Sequence, residues 1–162
     1  MPSAVMLGAV AGLIATVPMT IVMLKWHKHL PARQRYALPP RLITDRIAAR
    51  TPLPNGLIPP PGTKRTLLAH FAFGAAAGSI FAVGQTQAGN RNSASLSIGY
   101  GLLVWAVSYL GWVPAARLMP PATRQPAARN MMMIAAHIVW GASLGLALST
   151  LEGRGTRANI SR

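Results

Sequence analysis

The amino-acid sequence predicts an all-α integral membrane protein, a four-helix up-down bundle built as one domain over residues 1–162. Three observations predict it. Four long windows are nearly free of ionisable residues, the basic residues gather between those windows, and small residues recur inside them at four-residue spacing. The hydrocarbon core of a bilayer is about 30 Å thick, so a spanning helix needs ~20 mostly apolar residues. Such spans fall at about 4–26, 66–88, 94–116 and 130–151. Residues 4–24 and 94–116 hold no ionisable side chain, 66–88 holds only His70, and 130–151 holds only His137. Soluble helices need a polar face, and these have none.

The first span carries a stripe of small residues, Ala4, Gly8, Gly12, Thr16 and Thr20. It is too long for the apolar core of a cleaved signal and no Lys or Arg precedes it, so it is read as a span. Pro18 is expected to kink it. The loop at 27–65 follows, with eight prolines that favour extended and turn conformations. One stretch escapes them, residues 41–50. Pro39 and Pro40 suit the first turn of a helix there. Leu42, Ile43 and Ile47 form an apolar stripe, with Arg41, Asp45, Arg46 and Arg50 around the rest. Two placements are open for this short helix. It lies in the lipid interface with Arg41, Arg46 and Arg50 on anionic head groups, or it caps the bundle. The Pro-Pro-Pro run at 59–61 reads as a stiff spacer leading back to the membrane.

The second span contains Gly74 and Gly78, and the fourth contains Gly141 and Gly145. With Gly8 and Gly12, three of the four spans carry GxxxG. Lipid offers helices little hydrophobic reason to associate, so small residues that allow close backbone approach mark their interfaces. A short polar turn at Gly89-Asn90 joins the second and third spans. Pro114 is expected to kink the third near its end, and Trp26, Trp105, Tyr109 and Trp112 are candidate interfacial anchors. The connection 117–129 holds three prolines, and the tail after Glu152 is expected to fray.

Net charge is +14, from 16 basic and 2 acidic residues. Twelve of the basic residues lie in the loops after the first and third spans, and four lie on the other side. Basic loops stay cytoplasmic, so both termini are placed outside the cytoplasm. The charge is thus an orientation signal before it is a binding surface. The loops have too little aromatic interleaving for a nucleic-acid partner, and anionic lipid is the expected one. There is no cysteine, and Asp45 and Glu152 are the only acids. That excludes disulfides, thiolate metal sites and paired-carboxylate catalysis within the chain. No Walker A, HExxH or GxGxxG sequence occurs. Met131-Met132-Met133 and the His27-Lys28-His29 pair are read as packing and as an interfacial basic cluster rather than as metal ligands.

What remains is a partial repeat. Ala69-His70 through Gly78 matches Ala136-His137 through Gly145 as A-H-x-x-aromatic-G-A-x-x-G, offset by 67 residues. Parallel repeats are related by an axis along the membrane normal, which puts His70 and His137 at matching depth. An ionisable residue inside a span is a functional candidate by default. Three readings stand: imidazoles that bond across helix pairs, ligation of haem b or another tetrapyrrole, and a proton relay or small-solute transporter.

Residues 12–20 (Gly-Leu-Ile-Ala-Thr-Val-Pro-Met-Thr), 38–47 (Leu-Pro-Pro-Arg-Leu-Ile-Thr-Asp-Arg-Ile) and the two His-x-x-aromatic-Gly segments resemble small uncharacterised bacterial inner-membrane proteins with four helices. The resemblance covers most of the chain. It implies a bacterial inner membrane and transfers no catalytic residue. The expectation is a non-enzymatic accessory or scaffold subunit, or a homo-oligomer.

Overall fold

The computed structural model describes residues 2–51, 62–88 and 94–160, with side chains at 3–51, 62–88 and 94–153. The 59–61 spacer and the Gly89-Asn90 turn fall outside the described residues. Among those described, every regular element is helical. Helix α1 spans Pro2–His27, α2 Pro39–Arg50, α3 Thr63–Ala88 and α4 Ala94–Ala106. A π-helical segment, Val107–Trp112, joins α4 to the single turn of α5, Val113–Ala115. Helix α6 runs Ala127–Ile160, so its backbone stays helical past Glu152, where fraying was expected. Extending a helix already nucleated costs far less than starting one, and no proline interrupts it.

Four helices are long and apolar enough to cross a membrane: Ser3–His27, Thr63–Ala88, Ala94–Ala115 and Ala127–Gly153. Their outer faces are apolar, with Ile80 66% and Leu146 68% exposed. A surface of that kind suits lipid, and the chain reads as a multi-pass membrane protein.

Helix α1 packs along both α3 and α6, and α4 packs along α6. Gly8 lies against Gly78, and Gly12 against Gly74, so α1 and α3 run antiparallel. A Cβ added to Gly8 would stand 2.5 Å from the Gly78 carbonyl oxygen and 2.7 Å from the Ser79 Cα. On the other side, a Cβ on Gly141 would stand 2.9 Å from the Ile98 Cα. One on Gly101, which has no place in the GxxxG pattern, would stand 3.1 Å from the Gly141 Cα. Gly145 is buried one turn further along α6.

Helices α3 and α4 make no such approach. Side chains bridge them instead. Tyr100 donates its hydroxyl to the Ala77 carbonyl at 2.8 Å, and the Phe81 and Tyr100 rings lie 4.8 Å apart. Phe73 and Trp112 approach at 6.4 Å further along. This wider side leaves room for a cavity.

Pro114 breaks its helix, but the break falls upstream of the proline. Gly111 leaves helical geometry, at φ −106° and ψ −105°. A proline offers no N–H to the carbonyl four residues back, here Leu110, and its ring clashes with it. The preceding turn widens into π geometry to relieve that clash. Pro18, by contrast, sits inside an α1 that stays a single helix.

The arginines find few acids and bond carbonyls instead. Helix α5 ends at Ala115, Arg117 just beyond it has a φ of +55°, and the carbonyls at this helix end need donors. Arg50 supplies them to Ala116 at 2.5 Å and Arg117 at 3.1 Å, and Arg46 donates to Leu118. Asp45 pairs with Arg65 at 3.0 Å and Arg41 at 3.5 Å. Arg129 is 1% exposed and donates to the carbonyls of Gln34, Tyr36 and Ala37 at 2.7, 3.1 and 2.9 Å. Its guanidinium carbon lies 3.7 Å from the centre of the Tyr36 ring. The start of α6 thereby holds the chain that leads into α2.

Candidate functional site: a cavity between the two histidines

A cavity of about 180 Å³ lies where α3 and α4 part. Its walls come from α1 (Thr16, Met19), α3 (His70, Phe73), the π segment (Ser108, Tyr109, Trp112) and α6 (Met133, His137, Trp140). Helix α2 closes one side with Pro40, Ile43, Thr44 and Ile47. The amphipathic stripe of α2 thus covers the site: Leu42 and Ile43 pack against the core, and Ile43 and Ile47 face the cavity. Ile47, Phe73 and Trp112 are exposed and line the same space, so they mark its mouth toward the lipid-facing surface.

The two imidazoles differ. His137 is buried, and its Nδ1 lies 2.8 Å from the Met133 carbonyl oxygen, one turn back on α6. A carbonyl only accepts, so Nδ1 carries the hydrogen and, in the neutral ring, Nε2 is left with the lone pair. The Tyr109 ring meets His137 edge to face at 6.0 Å. His70 has a buried Nε2 without a hydrogen-bond partner. A buried nitrogen of that kind costs about 1–3 kcal/mol if left unmet. Two hydroxyls nearby have partners. Thr16 donates to the Gly12 carbonyl at 2.7 Å and accepts from Trp140 Nε1 at 3.3 Å. Ser108 accepts from Trp112 Nε1 at 3.3 Å.

His70 and His137, singled out by their isolation in apolar spans, therefore line one space. The packing glycines hold the walls: Gly74 lines the cavity itself, while Gly8, Gly12, Gly78 and Gly141 lie at the helix contacts behind it. Arg41, Arg46 and Arg50 stand outside the cavity on α2, bonded as described. Tyr109, a candidate interfacial anchor by sequence, is instead buried in the cavity wall. The π segment turns it inward. Its pairing with Pro114 five residues on was the available signal. Thr16 belonged to the small-residue stripe, and its second role as an acceptor for Trp140 had no sequence signal. Arg129 was counted as loop charge, and its burial follows from the chain folding over it.

His27 donates Nε2 to the Tyr36 carbonyl at 3.0 Å, which takes one nitrogen of the His27–His29 pair away from any metal. Among the described residues no cluster of three or more His, Asp or Glu has metal-binding geometry. Comparison with known proteins gives no match, whether to a family model, a curated protein or a solved structure, so the site is read from its own geometry.

Proposed function

We propose that this chain is a bacterial inner-membrane protein that works without catalysis, by holding a small lipid-soluble molecule in the cavity between His70 and His137. In this reading it is a four-helix up-down bundle with both termini outside the cytoplasm and α2 on the cytoplasmic side. One observation carries the reading. Two imidazoles from separate helices line one largely apolar cavity, and one of them has a buried nitrogen with no partner. Ligand sites have this character, an apolar wall with a few placed polar groups.

The volume argues for a small guest. A dry cavity of about 150 Å³ holds one benzene ring, whereas sites for drug-sized ligands start near ~300 Å³. At about 180 Å³ the space suits one substituted ring and is too small for a tetrapyrrole, which weighs against haem b. A transporter would need a polar path, and this lining is mostly apolar. The accessory or scaffold role is compatible with ligand binding. Self-association through the GxxxG faces is less so, because Gly8, Gly12, Gly74, Gly78 and Gly141 already face other helices of the same chain. Anionic lipid is left as a partner for the exposed Arg41, since Arg46 and Arg50 bond backbone carbonyls.

Bromobenzene tests the reading, because Trp112 and Trp140 line the cavity and a bound heavy atom quenches their fluorescence. The expected result is saturable quenching in lipid nanodiscs, abolished by Ala69→Phe, which fills the space. Linear, unsaturating quenching that is identical in the variant would overturn the proposal.

A further inference from the structure

We propose that the guest is a neutral hydroxy-aromatic ring with an apolar tail, the chemistry shared by quinols and alkylphenols. The inference rests on the ligand-binding reading above and adds the guest's functional groups. Four aromatic side chains, Phe73, Tyr109, Trp112 and Trp140, surround the space, and they favour a flat guest stacked or edge-on against them. The volume admits one ring. Among the described residues no Asp, Glu, Lys or Arg side chain lines the cavity, so a charged guest would be buried without compensation.

The hydrogen-bonding inventory decides the rest. His137 spends its N–H on the Met133 carbonyl, which leaves Nε2 with a lone pair, so any partner it takes must donate. His70 Nε2 also lacks a partner, but it is shut off from open space, so His137 carries the hydrogen bond to the guest. The Thr16 hydroxyl is filled by the Gly12 carbonyl and Trp140, while Ser108 accepts from Trp112 and keeps its own hydrogen. A hydrocarbon, a ketone or an ether could not donate to His137. A phenolic hydroxyl donates well and sits on a ring that fills the space. The mouth between Ile47, Phe73 and Trp112 gives a tail its way out to lipid.

Four probes with equal tails test this: 2-decylhydroquinone, 4-decylphenol, 4-decylanisole and decylbenzene. Each is titrated into the full-length protein in detergent micelles, anaerobically, by mole fraction in the micelle. The readout is the mole fraction that gives half of the rise in thermal unfolding midpoint. Decylphenol is expected to act at about one-tenth the mole fraction of decylanisole or decylbenzene, the value of one buried hydrogen bond. A further gain for decylhydroquinone assigns the site to quinols, and no further gain assigns it to single phenols. His137→Phe should bring decylphenol down to the level of decylbenzene. The decylanisole comparison needs no variant, so it stands even if His137→Phe fails to fold. Equal action of all four probes, with bromobenzene still saturable, overturns this inference and leaves the binding reading in place. No action by any probe and no bromobenzene saturation overturns both.

Discussion

Gly8 and Gly84 offer a sharp test, because the same substitution has opposite consequences at the two positions. A Cβ on Gly8 would meet the Gly78 carbonyl oxygen at 2.5 Å, the Ala82 Cβ at 2.7 Å and the Ser79 Cα at 2.7 Å. Ordinary contact begins near 3.4 Å, so α1 and α3 must part by roughly 0.9 Å at that point. None of the three atoms is the end of a flexible side chain, so nothing yields locally. Overpacking of rigid neighbours costs about 1–3 kcal/mol, and three simultaneous contacts place Gly8 at the upper end. Part of the loss comes from dispersion, since a gap of 0.5–1 Å forfeits about a quarter to a half of each contact's well. Alanine's better helix propensity returns about 1 kcal/mol. Gly8→Ala should therefore lose about 2 kcal/mol net. Around Gly84 an added Cβ meets nothing within 4 Å, so Gly84→Ala keeps only the propensity gain of up to about 1 kcal/mol. The assay is SDS titration in mixed micelles, followed by helical circular dichroism and tryptophan fluorescence. If the two variants unfold within about 0.5 kcal/mol of each other, the α1–α3 register described above is wrong.

Other perturbations probe the remaining devices. Arg129→Met strands the Gln34, Tyr36 and Ala37 carbonyls and should cost about 3 kcal/mol in the same titration. Arg129→Lys should recover only part, because an ammonium cannot span the fork. Arg117→Gly should stabilise by about 1 kcal/mol, since glycine accepts a φ of +55° without strain. Pro114→Ala restores a donor to the Leu110 carbonyl and should raise the unfolding midpoint. It should also weaken the saturable bromobenzene quenching, as a regular helix turns Tyr109 away; a gain in both would refute the role given to the π segment. In this cysteine-free chain, Asn90→Cys should label with an impermeant thiol reagent in intact cells and Ala32→Cys should not. The reverse pattern would invert the topology.

The sequence by itself determined which four segments are long and apolar enough to cross a membrane, and their limits to within a few residues, except that α6 runs on past its expected end. Membrane thickness sets a length and hydrocarbon excludes charge, so both conditions act along the chain and are written in one dimension. It also determined the start of α2, where Pro39 and Pro40 supply the fixed φ of a first turn, and the isolation of His70 and His137. Gly74 and Gly141 were legible as small residues, but their partners were not. Spacing gives a residue's depth and face, whereas the neighbour it meets depends on how all the helices pack. The tertiary structure alone joined α1 to α3 and α4 to α6 through bare backbone and left α3 and α4 apart. That separation created the cavity and brought the two histidines to it. The structure also decided the fate of the charge. Twelve basic residues lie in the two loops expected to be cytoplasmic, yet Arg46, Arg50 and Arg129 are spent on backbone carbonyls, because two acids cannot pair them and helix ends left oxygens unmet.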